Sequence, residues 1–367
     1  MIKINDRCCI DVDLTGLEFN LKVFKRFKII ESEMNIPIFE LQLHQTDYSL
    51  YQYLRQVNTS LSITYGVSLE TARKYKFKIY NYNYVENGDR FTLILTGILD
   101  LKEFTNVPRI KYFEGTSDEV LKQLPSIKPN ITYQGNDSQV WIQHNNSDKN
   151  FAERIIDHAF KQKDDFILGG LSVDKDLTVI SVKDTFKGAP KMTFSNTMTS
   201  SEDGDSKKAT IDGIKVESDA AYWSNFLSEG KKLPVLSVSD RSFSYMEPKL
   251  ASVVDGGLNS TSTMNTNFPP IVDNGNCHEN YYQAWLDNLN YHVMFMKNNL
   301  YMVTSNTYIS NDDLKIMELI SINLDNRYQM GIVDSLSGKY LVTEKCTTID
   351  PNRGFGHRMR LNRDYTM

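Results

Sequence analysis

Two neighbouring segments with alternating side chains constrain the fold of the N-terminal part of the chain most strongly. In residues 75–84, aromatic and aliphatic side chains alternate with lysine and asparagine, which is the pattern of a half-buried β-strand. The Asn-Gly pair at 87–88 separates this segment from a second apolar run at 90–99, and Asn-Gly is a strong signal for the tight turn of a hairpin. Residues 61–69 are also rich in residues that favour strands. We therefore expect residues 1–112 to be mainly β-structure.

Length and composition limit the class of protein. The chain has 367 residues, which is enough for two or three domains. Hydrophobic residues make up 40% and charged residues 24%, a balance that is typical of a globular protein. The net charge of −5 argues against a protein that grips phosphate backbones, because such proteins usually carry a basic face.

Cysteine and histidine usage predicts neither a metal site nor a cofactor. None of the 4 cysteines belongs to a C-x-x-C pair, and the 6 histidines are scattered without the spacing of metal ligands. We expect thiols that stay reduced, as in a protein made in a cytoplasm. No apolar run approaches the ~20 residues of a membrane-spanning helix, and the charged N-terminus does not fit a signal peptide.

Two helices with clear boundary signals are predicted in residues 113–163. In the first helix, Thr116 and Glu119 have the spacing of a capping box. In the second, Ser147 stands where an N-cap residue is expected, and Asp148 suits the positive N-terminal end of a helix. An apolar stripe then recurs at helical spacing and comprises Phe151, Ala152, Ile155, Ile156, Ala159 and Phe160. These residues predict an α/β segment after the first β-region.

The remaining chain is predicted to form strands that are interrupted by a polar insertion. Residues 166–182 are expected to form a hairpin, and residues 300–305 and 338–364 further strands. Residues 191–299 are rich in Ser, Thr, Asn, Asp and Gly in two long stretches, which is typical of exposed loops. We expect a loop-rich insertion there, with a helix near 279–290 and a strand at 291–296.

Two histidines are candidates for catalysis. His158 lies beside Arg154 and Asp157 in sequence, an arrangement that permits a general base oriented by an acid. Cys277 and His278 are adjacent and could form a thiol–imidazole pair. The plainer interpretation is a histidine at the edge of an amphipathic helix and a dipeptide in an exposed loop. We favour the plainer interpretation in both cases.

Two acid pairs are candidates for a glycoside hydrolase, which needs two carboxyls at a defined separation. These are Asp100 with Glu103 and Asp164 with Asp165. Acids near strand or helix ends are usually solvated, so the pairs are weak candidates. The tyrosine-rich strand at 75–84 could stack on sugars or bases, but its alternation with lysine favours a sheet wall. Because no nucleophile-elbow, zinc-protease, phosphate-loop or dinucleotide-binding motif occurs, we expect the chain not to be an enzyme.

Seven residues around the second helix follow a specific pattern, in which a capped helix precedes a strand reading tryptophan, apolar, glutamine. An asparagine, a serine and an aspartate then start a helix that contains phenylalanine. The residues are Trp141, Ile142, Gln143, Asn146, Ser147, Asp148 and Phe151. This passage resembles one in phage tail hub proteins. That group includes the baseplate hubs of contractile-tailed phages, the late-control protein D type and the hub part of type VI secretion spike proteins.

The C-terminal residues 336–364 are similar to the closing hairpin of the same proteins. Gly338 follows a serine and leads into a strand that contains Val342. Asp350 begins an Asp-Pro turn, and Arg360 lies near the basic end of the returning strand.

The resemblance implies a β-rich α+β fold of two similar β-barrel domains joined by an α/β segment, with an additional loop-rich insertion. The first barrel would occupy residues 1–112 and the connector residues 113–163. The second barrel would be discontinuous, in 164–190 and 300–367, and 191–299 would be the insertion.

The resemblance also implies a role in a virion. Three chains would form a homotrimer, a pseudo-sixfold ring that adapts the hexameric tail tube protein to the trimeric central spike protein. The ring would contact neighbouring baseplate proteins and let DNA pass through its lumen without specific binding. It would be made in the host cytoplasm, end in the virion tail, and need no cofactor, metal or membrane span. The alternatives are a tail-associated cell-wall hydrolase and a carbohydrate-binding tail-tip protein.

Overall fold

The computed structural model of the chain describes residues 2–5, 8–14, 17–18, 23–45, 52, 60–66, 70–87, 90–195, 208–216, 233–237, 242–246, 271–273, 277–297, 299–304, 314–324, 336–351 and 354–363. Over these residues the protein is rich in β-strand, and most strands belong to one large, mainly antiparallel sheet. The prediction of a β-rich fold is confirmed.

The secondary structure comprises 23 described strands and five helices that are used below. The strands, in chain order, are β1 Ile2–Asn5, β2 Cys8–Leu14, β3 Leu17–Glu18, β4 Phe24–Ser32, β5 Ile38–Gln45, β6 Ser60–Gly66, β7 Arg73–Asn87, β8 Arg90–Leu99, β9 Pro108–Gly115, β10 Pro129–Ile131, β11 Gln139–Ser147, β12 Ile167–Leu171, β13 Leu177–Ser181, β14 Met192–Ser195, β15 Lys208–Thr210, β16 Gly213–Val216, β17 Leu233–Ser237, β18 Ser242–Met246, β19 Ile271–Asp273, β20 Asn299–Thr304, β21 Leu319–Asn323, β22 Gly338–Asp350 and β23 Gly354–Asn362. The helices are α1 Lys102–Thr105, α2 Ser117–Lys122, α3 Asp148–His158, α4 Val182–Lys187 and α5 Tyr281–Lys297.

The N-terminal half of the large sheet runs in the order β1-β2-β6-β7-β8-β5-β4, with antiparallel neighbours throughout. Strands β7 and β8 form the hairpin that the Asn-Gly turn predicts, and Asn87 lies opposite Arg90. Along β7, Tyr75, Phe77 and Ile79 are buried while the lysines between them are exposed. The alternating pattern therefore sets which face of β7 packs on the core.

Strand β22 joins the two halves of the sheet. Its second half pairs with β4, while β23 pairs with it along most of its length and β21 pairs with its first residues. The N-terminal side of this junction has a core that includes Phe27, Phe39 and Phe77. The other side has a separate core that includes Met302 and Met359. The sheet is thus continuous across these two hydrophobic cores, and a third core includes Leu319 and Leu341 of the same sheet.

The connector lies beside this junction. Strands β9 and β11 form an antiparallel two-stranded ribbon, and α3 begins where β11 ends. Strands β12 and β13 form the predicted hairpin, which pairs with β10 in a three-stranded sheet of its own. The assignment of 164–190 to a second barrel stays a prediction, and so do the other domain boundaries.

The helix near 279–290 is longer than predicted, and the predicted strand at 291–296 is wrong. Both segments belong to α5. The apolar residues Ala284, Tyr291 and Phe295 recur at helical spacing on one buried face, and the ring of Tyr291 stacks on Phe166 with centroids 5.2 Å apart. A short apolar run fits a strand and a buried helix equally well, so its sequence alone did not separate the two.

Described parts of the predicted insertion contribute strands to the large sheet. Strand β14 pairs in parallel with β21, and β16 pairs with β20. Strands β17, β18 and β19 form a separate three-stranded sheet. Much of the two polar stretches, 194–210 and 255–276, lies outside the described residues. Among the residues that are described, no helix has the length and hydrophobicity to cross a membrane.

Candidate functional site at the connector

The strand β11 and helix α3 bring the motif residues of the connector together. Alternation along β11 directs Trp141 and Gln143 inward, and both are buried. The indole Nε1 of Trp141 donates to the carbonyl oxygen of Gly115 at 3.1 Å, which ties β11 to the end of β9. Below the ribbon, Phe151 of α3 is fully buried and stacks on Phe113 with centroids 5.4 Å apart. The apolar stripe of α3 therefore anchors the ribbon.

A fully buried carboxylate, that of Asp148, organises the junction between β11 and α3. It accepts hydrogen bonds from the hydroxyl of Ser126 at 2.5 Å and from Nε2 of Gln143 at 2.9 Å. The guanidinium Nε of Arg109 lies 3.2 Å away as an ion-pair partner. Nε2 of Gln143 also donates to the carbonyl of Asn146 at 2.9 Å. Two hydrogen bonds, an ion pair and the N-terminus of α3 compensate the buried charge, so the arrangement is architectural.

Both helix caps that the sequence predicts are present. The hydroxyl of Ser147 accepts a hydrogen bond from the backbone N–H of Asn150 at 3.3 Å. Thr116 and Glu119 form the capping box, in which the Glu119 carboxylate accepts from the backbone N–H of Thr116 at 3.0 Å. The caps fix where α2 and α3 begin relative to the ribbon.

Asp137 is a buried acid that sequence reasoning missed. Its carboxylate accepts from the backbone N–H and the hydroxyl of Ser117, at 2.9 and 3.1 Å, and from the backbone N–H of Phe160 at 2.9 Å. Burial raises the pKa of Asp137 above its ordinary value. It links the start of α2 to the residues after α3. Asp137 lies in a loop without a motif, so no local signal could have identified it.

The C-terminal motif residues lie along β22 and β23. Gly338 has a φ of 142°, which disfavours any residue with a side chain. Val342 is fully buried. The guanidinium of Arg360 lies 3.5 Å from the carboxylate of Glu33 and 3.9 Å from that of Glu344. Asp350 ends β22 at the predicted turn.

His158 lies between the end of α3 and the start of α5. Its ring stacks on Tyr281 with centroids 3.9 Å apart, and it also stacks on Trp285 with centroids 5.4 Å apart. Nδ1 of His158 is 3.2 Å from the carbonyl oxygen of Tyr281, so this nitrogen is the donor. Burial, with a smaller effect from the positive charge of Arg154, lowers the pKa of His158 to about 4. The imidazole is therefore a neutral packing residue, and a weak base at neutral pH.

The lowered pKa of His158 predicts that the contact between α3 and α5 weakens in acid. Because its pKa is depressed, its contribution to stability is complete above the ordinary value near 6.5 and is lost as the pH falls towards 4. We expect the free energy of unfolding to fall by roughly 1–2 kcal/mol more in the native chain than in His158→Phe between pH 7.5 and 4.5, by urea denaturation. Equal losses in both proteins would show that His158 does not titrate on unfolding.

The other candidate catalytic residues hold structure together. The Nδ1 atom of His278 accepts from the backbone N–H of Asn280 at 3.2 Å, and the backbone N–H of His278 donates to the side-chain oxygen of Gln139 at 2.8 Å. The imidazole of His278 thus bonds to the residues just before α5, and its backbone N–H holds them against β11.

The acid pairs do not form a paired-carboxyl site. Asp165 is buried and accepts from the hydroxyl of Ser181 at 2.6 Å, whereas Glu103 is largely exposed and lies 3.7 Å from Arg109. The expectation of a solvated acid is wrong for Asp165, because its hydrogen bonds compensate its burial. In the part of the chain that the structure describes, no three His, Cys, Asp or Glu side chains converge as metal ligands would.

The outer face of the ribbon carries a group of exposed apolar side chains. Ile110 and Tyr112 on β9 are 78% and 71% exposed, and Val140 and Ile142 on β11 are 46% and 43% exposed. Tyr112 lies directly opposite Ile142 in the ribbon, and Val140 lies opposite Glu114. A cluster of exposed apolar side chains of this kind often marks a site of protein–protein contact.

No family model and no curated protein sequence matches this chain. Solved structures do match. The tail protein from Neisseria meningitidis MC58 superimposes with a TM-score of 0.54 at 12% identity, over 98% of this chain and 97% of that one. The 43 kDa tail protein of prophage MuSo2 from Shewanella oneidensis gives a TM-score of 0.56 at 10% identity, over 97% and 98%. A component of the type VI secretion system of E. coli gives 0.46 at 8% identity, over 96% and 77%.

The first two likenesses extend over almost the whole of both chains, so they include the two sheet halves and the connector. At such low identity they concern the fold alone. This chain has the fold of these solved tail proteins, and the expected resemblance to phage tail proteins is confirmed at the level of the fold.

Proposed function

We propose that this chain is a structural hub of a phage tail baseplate or of a related injection machine. The observation that carries the proposal is the superposition with two tail proteins over nearly the full length of both partners. The connector motif supports it, because Trp141, Asp148 and their neighbours act as packing and hydrogen-bonding residues.

The proposed hub is a ring of three chains, each with two similar β-barrel domains. Two separate hydrophobic cores on either side of the β4–β22 junction support two units in each chain. Three such chains present six similar surfaces, which matches a sixfold neighbour on one side and a threefold neighbour on the other. The hub would adapt a hexameric tail tube to a trimeric central spike in this way.

DNA would pass through the lumen of the ring without specific binding. The net charge of −5 supports this, since a basic lumen would retain the phosphates. We expect the side chains that line the lumen to be acidic or neutral.

The hub would act without catalysis. The residues that could have supplied an active site have structural contacts instead, as in the stacked His158 and the buried Asp165. Stacking and hydrogen bonds of this kind favour a packing role for both side chains.

Light scattering of the purified chain, with and without its spike partner, tests the proposal. We expect a mass three times that of one chain, or a trimer that forms when the partner is added. A chain that stays monomeric under both conditions would contradict the hub. Peptidoglycan cleavage that a single acid substitution abolishes would favour the hydrolase, and glycan binding by a monomer would favour the carbohydrate-binding protein.

A further inference from the structure

Within the part of the chain that the structure describes, the ribbon of β9 and β11 has one unpaired edge. Among the described residues, β9 pairs with β11 on one side only, and no backbone hydrogen bond joins β9 to any other element. An open strand edge presents a row of N–H and C=O groups that a further strand can pair with. A protein that must stay soluble usually protects such an edge, so an unprotected one beside an apolar face indicates a binding surface.

The direction of the backbone groups of β9 follows from a contact on the other strand. The guanidinium of Arg154, on α3, donates to the carbonyl oxygen of Ile142, and we infer from this side-chain contact that the carbonyl points away from β9. In an antiparallel pair, the residue directly opposite then also turns its N–H and C=O outward. That residue is Tyr112. By the alternation of the strand, Ile110 and Glu114 do the same.

The outward backbone groups coincide with the exposed apolar side chains. Ile110 and Tyr112 carry both, so a strand added along β9 would bond to their backbones and place its own side chains beside theirs. Tyr112 also continues the apolar face towards Ile142 on the neighbouring strand. The edge therefore offers hydrogen bonds and apolar contact at the same residues, which is how strand addition recognises extended peptides.

We propose that the edge of β9 binds an extended segment of a different protein by strand addition. In antiparallel register, this segment would carry apolar residues opposite Ile110 and Tyr112 and a basic residue opposite Glu114. An acidic residue opposite Lys111, whose side chain is exposed on the reverse face, would complete the match. That the partner is a neighbouring tail protein rests on the proposed function. That the edge of β9 binds an added strand does not.

A second copy of this chain fits the edge less well. Two copies of β9 that pair about Tyr112 would place Ile110 of each copy opposite Glu114 of the other. An apolar side chain would then face a carboxylate twice in one short ladder. The neighbouring register, centred on Lys111, pairs Ile110 with Tyr112 but places the two Lys111 side chains directly opposite each other, and like charges so placed destabilise a sheet. A segment with the stated pattern avoids both mismatches.

Selection from a library of random twelve-residue peptides displayed on yeast tests the proposal with the full chain as the bait. We expect enrichment of peptides in which β-branched or aromatic residues alternate with polar ones. A synthetic copy of an enriched peptide should slow hydrogen exchange at the amides of Ile110, Tyr112 and Glu114. The amides of Lys111 and Phe113 already face β11 and should change little.

Substitutions of Tyr112 separate the backbone contribution from that of the side chain. Tyr112→Pro removes an outward N–H but none of the bonds to β11, and proline is tolerated on such edges. We expect it to weaken peptide binding about tenfold or more, since main-chain bonds and register are lost together. Tyr112→Thr keeps the N–H and should weaken binding less. Tyr80→Thr changes another exposed tyrosine, on β7, and should leave affinity unchanged.

Several outcomes would overturn the proposal. These are a selection without the alternating pattern, binding that Tyr112→Pro and Tyr112→Thr both leave intact, and protection of amides elsewhere. If Tyr112→Pro does not fold, the affinity of Tyr112→Thr and the pattern of hydrogen exchange still test whether the peptide binds at the edge of β9. Peptide binding is measured on the chain whatever its mass in solution. A negative result for strand addition can therefore be told apart from a negative result for the trimeric ring.

Discussion

Replacing Lys345 with methionine is expected to lower the free energy of unfolding by about 3–5 kcal/mol. Lys345 on β22 lies opposite Glu31 on β4, and the ammonium is 2.9 Å from a carboxylate oxygen, with both side chains almost fully buried. The ammonium also donates to the carbonyl of Leu314 at 2.9 Å, and the carboxylate accepts from the backbone N–H of Val173 at 2.8 Å. Methionine would leave a buried carboxylate without its counter-charge at the junction of the two sheet halves. Urea denaturation measures the loss.

A partly exposed ion pair between β4 and β5 provides the matched control. Lys28 of β4 lies 3.0 Å from Glu40 of β5, and both side chains are partly exposed. Lys28→Met should cost no more than about 1 kcal/mol, because water already screens that pair. The double change Lys345→Met with Glu31→Gln should recover part of the loss, since glutamine carries no charge and can still accept from Val173. Equal effects at Lys345 and Lys28 would show that the buried pair does not join the two halves.

Replacing Asp148 with alanine is expected to lower the free energy of unfolding by about 2–4 kcal/mol. The change removes the acceptor of two hydrogen bonds, from Ser126 and Gln143, and the partner of Arg109. It leaves a polar group of Gln143 buried beneath the ribbon and removes a negative charge from the N-terminus of α3. Thermal or urea unfolding followed by circular dichroism measures the effect.

A control on the same helix separates this network from general helix propensity. Glu153 forms an i,i+4 ion pair with Lys149 on the partly exposed face of α3. Glu153→Ala should change stability by no more than about 0.5 kcal/mol. The loss of stability in Asp148→Asn should lie between those of Asp148→Ala and Glu153→Ala, since the amide keeps one acceptor. A stable Asp148→Ala protein would contradict the view that this junction is architectural.

Local signals explain the parts of the fold that sequence reasoning predicts well. The Asn-Gly pair and the alternation in β7 predict the β7–β8 hairpin, and the spacing of Ser147 and Phe151 predicts α3 with its cap. These features depend on residues a few positions apart, where propensity and hydrogen bonding act directly. The connector motif was identifiable for the same reason.

Long-range pairing explains what sequence reasoning missed. The pairing of β22 with β4 and the parallel pairing of β14 with β21 join residues far apart in the chain, without a local signal. The burial of Lys345 with Glu31 could not be anticipated, because each residue alone resembles a solvated charge. Residues 291–296 form a short apolar run that fits a strand as well as a buried helix. Phe166, on which Tyr291 of the helix stacks, lies over a hundred positions earlier in the chain, so no local signal identifies the helix.

Electron microscopy of the purified chain, averaged into two-dimensional classes, tests most directly whether this protein builds a hub. We expect closed rings of three chains, with a central opening and six similar lobes, since each chain would contribute two like domains. Single particles without an opening, or open filaments of head-to-tail chains, would contradict it, because neither can adapt a sixfold tube to a threefold spike.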